Sequence, residues 1–346
     1  MRKEGGSEHR FFTRRDFLKI TGLSGTAAVL GSVSNAPFSL ASDFYPSKSI
    51  TWVSPYRVGG GFDLIARGLM PFVTRNLQEA ARGAKGGGVI FKVDIGGDGQ
   101  RAYSRIYSSK PDGYTIGTFD SAFAVESLRS KLDFDMKKFT YLLRLNSAPR
   151  VMVTRKDGFA GWGEMLKAAK AKELKWGVGV LWRATHAASI IVKEETGIRA
   201  RFIPFGNTAL TMSALMRGDI QVALVAEDSV KALLAAGEIK ALAEFSDKSI
   251  HPDVPSIIDL GFPHLTEVIS AHRFLVAPPA LPEKIQGSLI AAFKKAINDK
   301  GFQDWAQKGG FMVNPLYGAE ADKLAKKMIR FFQEDMKPIF MKYEGF

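Results

Sequence analysis

Short apolar runs alternate along the chain with stretches whose apolar positions recur at helical spacing, starting near residue 50 and continuing toward the C-terminus. The apolar runs predict strands at 50–53, 90–93, 114–117, 151–153, 176–180, 201–203, 222–225, 240–243 and 274–277. Between them lie helical stretches. One opens after Pro282 with Ile285, Leu289, Phe293 and Ala296 on one face and Lys294, Lys295 and Lys300 toward its C-terminal end, where the helix dipole favours cations. Another, over 319–335, carries the stripe Leu324, Met328, Ile329 and Phe332. Regular alternation of strand and helix predicts an α/β fold with mainly parallel sheets. Two passages, 141–149 and 266–273, look like crossings between lobes. They predict a first lobe of residues 42–146 plus 267–346 and a second of 147–266, each a mainly parallel sheet flanked by helices, with a ligand site between them.

The N-terminus changes the picture of where the protein works. Thr13-Arg14-Arg15-Asp16-Phe17-Leu18-Lys19 precedes an uncharged stretch and then Ser39-Leu40-Ala41. Paired arginines, a weakly apolar core and a small-residue cleavage site read as a twin-arginine export signal over residues 1–41, cleaved near Ala41. A partner in the export machinery and a periplasmic location follow from that reading. The net charge of +13 falls to +10 once the first 41 residues, with six Lys/Arg and three Asp/Glu, are removed. In an exported chain such an excess suits small anions rather than nucleic acid. With no cysteine, neither disulfides nor thiol chemistry is available. His186, His251, His264 and His272 are too scattered for a helical zinc site, so no metal or cofactor is expected. Past the signal, no apolar run approaches the roughly 20 residues of a membrane helix.

Candidate chemistry sits in four loops that follow predicted strands and run into helix starts, an arrangement that presents backbone N–H groups to anions. The first is Ser54-Pro55-Tyr56-Arg57-Val58-Gly59-Gly60-Gly61-Phe62-Asp63. A carboxylate is expected against the backbone of Tyr56, Val58, Gly59, Gly60, Gly61 and Phe62, with Asp63 capping the following helix. Gly97, in Gly96-Gly97-Asp98-Gly99, belongs to the second loop. Thr185 and His186, at one helix start, and Gly206, Asn207 and Thr208, at another, would hold the other end of the ligand. Trp182 reads either as a ligand wall or as lobe packing, His186 either as a ligand contact or as a structural histidine. Arg183 reads either as a partner for a second carboxylate or, preferred, as solvent-exposed. Ser121 and Glu227 complete the candidate set. No Gly-Lys-Ser/Thr ending or dinucleotide fingerprint accompanies these glycines, and no Gly-x-Ser-x-Gly elbow or close carboxylate pair points to catalysis.

In order and spacing these segments resemble the extracytoplasmic solute receptors of tripartite tricarboxylate transporters, the Bug receptors. The resemblance rests on Tyr45-Pro46-Ser47-Lys48-Ser49-Ile50, Pro55-Tyr56, Gly59-Gly60-Gly61, Asp63, Ala66-Arg67, Pro111-Asp112-Gly113-Tyr114-Thr115, Thr185-His186, Pro204-Phe205-Gly206 and Met216-Arg217-Gly218-Asp219-Ile220. It implies a two-lobed periplasmic-binding-protein fold of the Venus-flytrap type. It further implies a protein that is not an enzyme, closes on a small organic carboxylate and delivers it to transporter membrane subunits. The rival readings are a periplasmic enzyme acting on a small carboxylate and a ligand sensor for a signalling partner. The chain departs from the family pattern at Leu181-Trp182-Arg183, where relatives carry small residues. It departs again at Val225-Ala226, where an Asp-Asn pair is usual, followed here by Glu227-Asp228.

Overall fold

The computed structural model describes residues 45–81 and 87–343. Residues 1–41, read from the sequence as an export signal, lie outside the described residues. The strands, in chain order, are β1 (Ile50–Ser54), β2 (Val89–Val93), β3 (Thr115–Phe119), β4 (Thr140–Ala148), β5 (Arg150–Arg155), β6 (Leu174–Val178), β7 (Ala200–Pro204), β8 (Val222–Ala226), β9 (Ile239–Phe245), β10 (Ala271–Ala277) and β11 (Leu316–Tyr317). They form two sheets: a six-stranded sheet of order β11-β4-β10-β3-β1-β2 and a five-stranded sheet of order β7-β6-β8-β5-β9. Helices α1 (Gly61–Ala80), α2 (Gln100–Ser108), α3 (Glu126–Arg129), α4 (Trp162–Ala171), α5 (Ala184–Thr196) and α6 (Thr208–Arg217) flank them, joined later by Glu283–Ile297 and Ala319–Arg330. The two-lobed α/β architecture follows, one sheet to each lobe.

Both sheets are mixed rather than mainly parallel. In the first, β1 pairs parallel with β2 and β3, while β10 runs antiparallel to β3 and β4, and β11 antiparallel to β4. In the second, β6 pairs parallel with β7 and β8, while β5 runs antiparallel to β8 and β9. The reversed strands are β5 and β10, the first strand after each passage between sheets, and the short edge strand β11. The 141–149 stretch, read as a crossing, is itself strand β4, and only Pro149 separates it from β5 in the other sheet. A strand that enters a sheet from the other lobe is not bound by the crossover that parallel neighbours need, and it pairs antiparallel on both sides.

Burial explains which runs became strands. β1 is buried along nearly its whole length because parallel neighbours flank it and helices cover it, whereas β2, at the edge, alternates half-buried and exposed residues. Trp52 of β1 is fully buried, donates from Nε1 to Thr118 Oγ1 at 2.9 Å and packs edge-on against Phe293 of the Glu283–Ile297 helix. Strands β5 and β8 are buried on both faces and make the equivalent core of the second sheet. The 319–335 stripe forms a helix to Arg330 and a single wider turn over Phe331–Asp335, with Met328, Ile329 and Phe332 buried.

Candidate functional site

Three helix starts converge on one cavity of about 130 Å³. Gly60, Gly61 and Phe62 bring the start of α1, Arg183, Ala184 and Thr185 that of α5, and Asn207 and Thr208 that of α6. The strands of the two sheets end here, so loops from both lobes line it. The first-turn N–H groups of a helix lack intrahelical acceptors and carry its positive end, and three such ends make a positive chamber.

Within the triple-glycine loop each glycine has a different reason. Gly59 sits at φ +88°, a left-handed conformation in which a side chain is strained. At Gly61, a Cβ would lie 2.5 Å from Arg273 Nη2 and 2.7 Å from Ser229 Oγ, so the guanidinium takes the place of a side chain. A Cβ would meet open space at both Gly59 and Gly60, but only Gly60 has a backbone that any residue adopts, with Arg57 O the nearest atom at 3.8 Å. Asp63 turns away from the cavity. It accepts from the Gly59 N–H at 3.1 Å and from Arg67 Nε at 2.8 Å, tying loop to helix from the third helical position, while Gly60 occupies the N-cap.

Tyr56, Gly60, Gly61, Phe62, Thr185, Gly206, Asn207 and Thr208 line the cavity. Tyr56 and Phe62 stack at 4.1 Å and 11°, and the Tyr56 hydroxyl is held by Tyr103 Oη at 3.1 Å, leaving the pair to present carbon to the space. Thr185 Oγ1 accepts from the Gly179 N–H, and Asn207 caps α6 by accepting from the Leu210 N–H. The remaining candidates are elsewhere. Val58 is exposed at the rim, and Gly97 lies beside Asp98, which does line the cavity. Ser121 is buried next to Asp120, whose carboxylate accepts from the Ala122 N–H. Trp182 and His186 are packing partners behind the wall: His186 Nδ1 accepts from the Trp182 N–H at 2.8 Å, and its ring lies edge-on to Trp182 and Phe202. Burial, reinforced by the charge of Arg129, pulls His186 down to about 4, so the imidazole is neutral at ordinary pH.

Glu227 is also off the cavity, buried with its Oε1 3.6 Å from His251 Nε2. Burial pushes Glu227 up to about 7, helped by the charges of Asp228 and Glu244 and opposed by Lys231. Because the folded value exceeds the usual 4.5, the folded state holds a proton that the unfolded state has lost between about pH 4.5 and 7. Stability therefore falls as pH rises through that window. Melting temperatures measured across it should decline for the wild type and flatten in Glu227→Gln; an unchanged slope would remove Glu227 as the cause.

Arginines dominate the lining, and sequence reading gave no role to Arg57, Arg150 or Arg273. Four of them line the cavity: Arg57, Arg150, Arg183 and Arg273. Arg183 is buried rather than exposed, because it spans from the start of α5 to the other lobe. Its Nη1 meets Glu126 at 3.1 Å, and its Nη2 and Nε donate to Asp98 O at 2.8 and 3.1 Å. Arg273 of β10 pairs bidentately with Asp228, at 2.5 and 2.9 Å, and reaches Asn146 Oδ1 at 3.1 Å. That leaves Arg57, exposed at the mouth, and Arg150, at the buried end, with no carboxylate within 4 Å among the described residues. The available signal was a charge heading an apolar run: Arg150 before Val151-Met152-Val153 and Arg273 before Phe274-Leu275-Val276. No cluster of metal-ligating residues occurs among the described residues.

Comparison with known proteins places this geometry. The chain is 25% identical over 318 residues to a UPF0065 protein of Bordetella pertussis, covering 90% of this chain and 92% of that protein. Its fold matches MatC of Rhodopseudomonas palustris, solved with bound malate, at TM-score 0.72 and 20% identity, over 85% of this chain and 99% of that one. It also matches R. palustris Rpa4515, solved with adipate, at TM-score 0.71 and 20% identity, over 86% and 97% of the two chains. The model of the TctC family, described as "Tripartite tricarboxylate transporter family receptor", matches residues 73–339, and the chain belongs to that family.

Proposed function

We propose that the protein captures a small organic carboxylate between its two lobes in the periplasm and delivers it unchanged to the membrane subunits of a tripartite tricarboxylate-type transporter. Residues 42–146 plus 267–346 form lobe I and 147–266 lobe II, and the twin-arginine machinery exports the chain before cleavage near Ala41. The observation that carries this reading is the positive chamber: three helix starts, from both lobes, around a cavity with two uncompensated guanidinium groups. Backbone N–H groups of Gly60 to Phe62 and of Asn207 and Thr208 bind one face of the anion with charge-assisted hydrogen bonds. A solute that touches both lobes only when they are shut shifts the population toward the closed form. The malate and adipate of the two structural neighbours make the first probes.

Titration calorimetry of residues 42–346 with a panel of mono-, di- and tricarboxylates, followed by mass spectrometry of the recovered solute, tests the reading. Saturable binding with the solute unaltered is expected; turnover would make the protein an enzyme. In Gly60→Val the side chain enters the open space that the backbone presents to the anion. Its backbone, φ −91° and ψ 166°, suits any residue, so the cost to folding is limited to a poorer N-cap, about 1 kcal/mol. Capture should weaken at least tenfold with the circular dichroism spectrum preserved, and unchanged affinity would take the loop out of the site.

A further inference from the structure

Resting on the receptor reading, we propose that Arg150 grips the carboxylate of the ligand, and that the body of that ligand is mainly hydrocarbon, aliphatic or aromatic. Arg150 opens β5 at the passage between the lobes and is 3% exposed, yet it lines the cavity. Of its five N–H donors only Nε has an acceptor among the described residues, Ile269 O at 2.8 Å. Its guanidinium therefore presents both Nη atoms without a partner, while the neighbouring Arg273 has both of its Nη atoms committed to Asp228. A buried arginine fork with free parallel donors matches a carboxylate in shape and charge, and leaving it unpaired in a buried site is costly.

Burial pulls Arg150 down to about 10, against the pull of Asp120, so it remains a cation at neutral pH. Asp120 is not close enough to form an ion pair with it among the described residues and already accepts from Ala122. A carboxylate at ion-pair distance has to arrive with the solute.

The rest of the wall chooses the body. The stacked Tyr56 and Phe62 rings share the lining with Pro55, Ile95, Val180 and Ala271, and Ala226 pairs with Arg150 across the strands. Several of the side-chain oxygens along it already have a partner: Tyr56 Oη meets Tyr103, Thr185 Oγ1 accepts from the Gly179 N–H and Asn207 Oδ1 from the Leu210 N–H. Against the carbon of this wall a hydroxylated body gives up more hydration than a hydrocarbon one.

The test is calorimetry on residues 42–346 with phenylacetate, phenylacetamide, adipate, malate and citrate, repeated with Arg150→Gln and Arg150→Lys. Phenylacetate or adipate should bind at least tenfold more tightly than malate and citrate, and phenylacetate at least tenfold more tightly than its neutral amide. Arg150→Gln should lose tenfold or more on the favoured acid, and Arg150→Lys should recover only part, because it restores the charge without the fork. Wild-type affinity in Arg150→Gln would overturn the role of Arg150 while leaving the receptor reading intact. Tighter binding of malate or citrate would overturn the hydrocarbon body. Should both variants fail to fold, equal binding of phenylacetate and phenylacetamide by the wild type would overturn the carboxylate grip. Absence of binding by every acid would overturn the receptor reading together with this one.

Discussion

Replacing Arg273 with methionine should destabilise the ligand-free protein by about 3–5 kcal/mol, the usual cost of removing one partner from a buried ion pair. The side chains of Arg273 and Asp228 are 2% and 0% exposed, so neither charge can fall back on water. Without Arg273, the Asp228 carboxylate keeps only Ser229 Oγ at 3.1 Å and Asn146 Nδ2 at 3.5 Å. The pair also joins β10 of the first sheet to the turn after β8 of the second, so its loss loosens the passage between lobes as well as the core. In a chain of this size each kcal/mol moves the midpoint by roughly 2–4 °C, and a drop of about 6–20 °C is expected in a thermal melt followed by circular dichroism. The double variant Arg273→Met/Asp228→Asn should recover much of it, because no buried charge is left alone. A single variant that melts with the wild type would show that water reaches Asp228.

How much of this was legible beforehand depends on how far apart in sequence the partners lie. The strand over 50–53, the helix after Pro282 and the four glycine-containing loops are local patterns, and each appears where its own residues place it. β4 was misread because Arg144, Asn146 and Ser147 interrupt its apolar pattern; those residues face β10, β11 and the Asn314 loop rather than solvent alone. Strand direction was misjudged for a related reason, since alternation of strands and helices does not say which strand carries the chain into the other sheet. Glycine turns advertise themselves, whereas an arginine becomes meaningful only with its acceptor. Arg183 finds Glu126 57 residues away and Asp98 85 residues away, Arg273 finds Asp228 across 45, and Arg150 is identified by having no such acid. Trp182 and His186 show the converse, since a motif position that looks poised for ligand is consumed by the hydrogen bond and ring contact they make with each other.

Arg183→Ala should weaken capture of any bound acid by roughly thirtyfold, about 2 kcal/mol, through loss of charged hydrogen bonds that exist only when the lobes are together. Arg183 heads α5 on the second lobe, while both of its main partners, Asp98 O and Glu126, belong to the first. Its guanidinium also lies 4.5 Å from the centre of the Phe123 ring, another first-lobe group. Removing it leaves no buried charge behind, because Glu126 still has Arg129 at 3.2 Å. The expected cost therefore falls on closure rather than on folding, and this separates Arg183 from Arg273. Two measurements read the difference: the melting temperature of the ligand-free variant should stay close to wild type, and its radius of gyration from solution X-ray scattering should rise as open forms gain population. The acid then has to supply more of the closing free energy, which appears as a lower association constant. A variant that binds the acid as the wild type does would show that contacts through Arg183 persist in the open form, and the latch would have to be sought at Arg57, which reaches from the first lobe to within 3.9 Å of the Cβ position at Gly206.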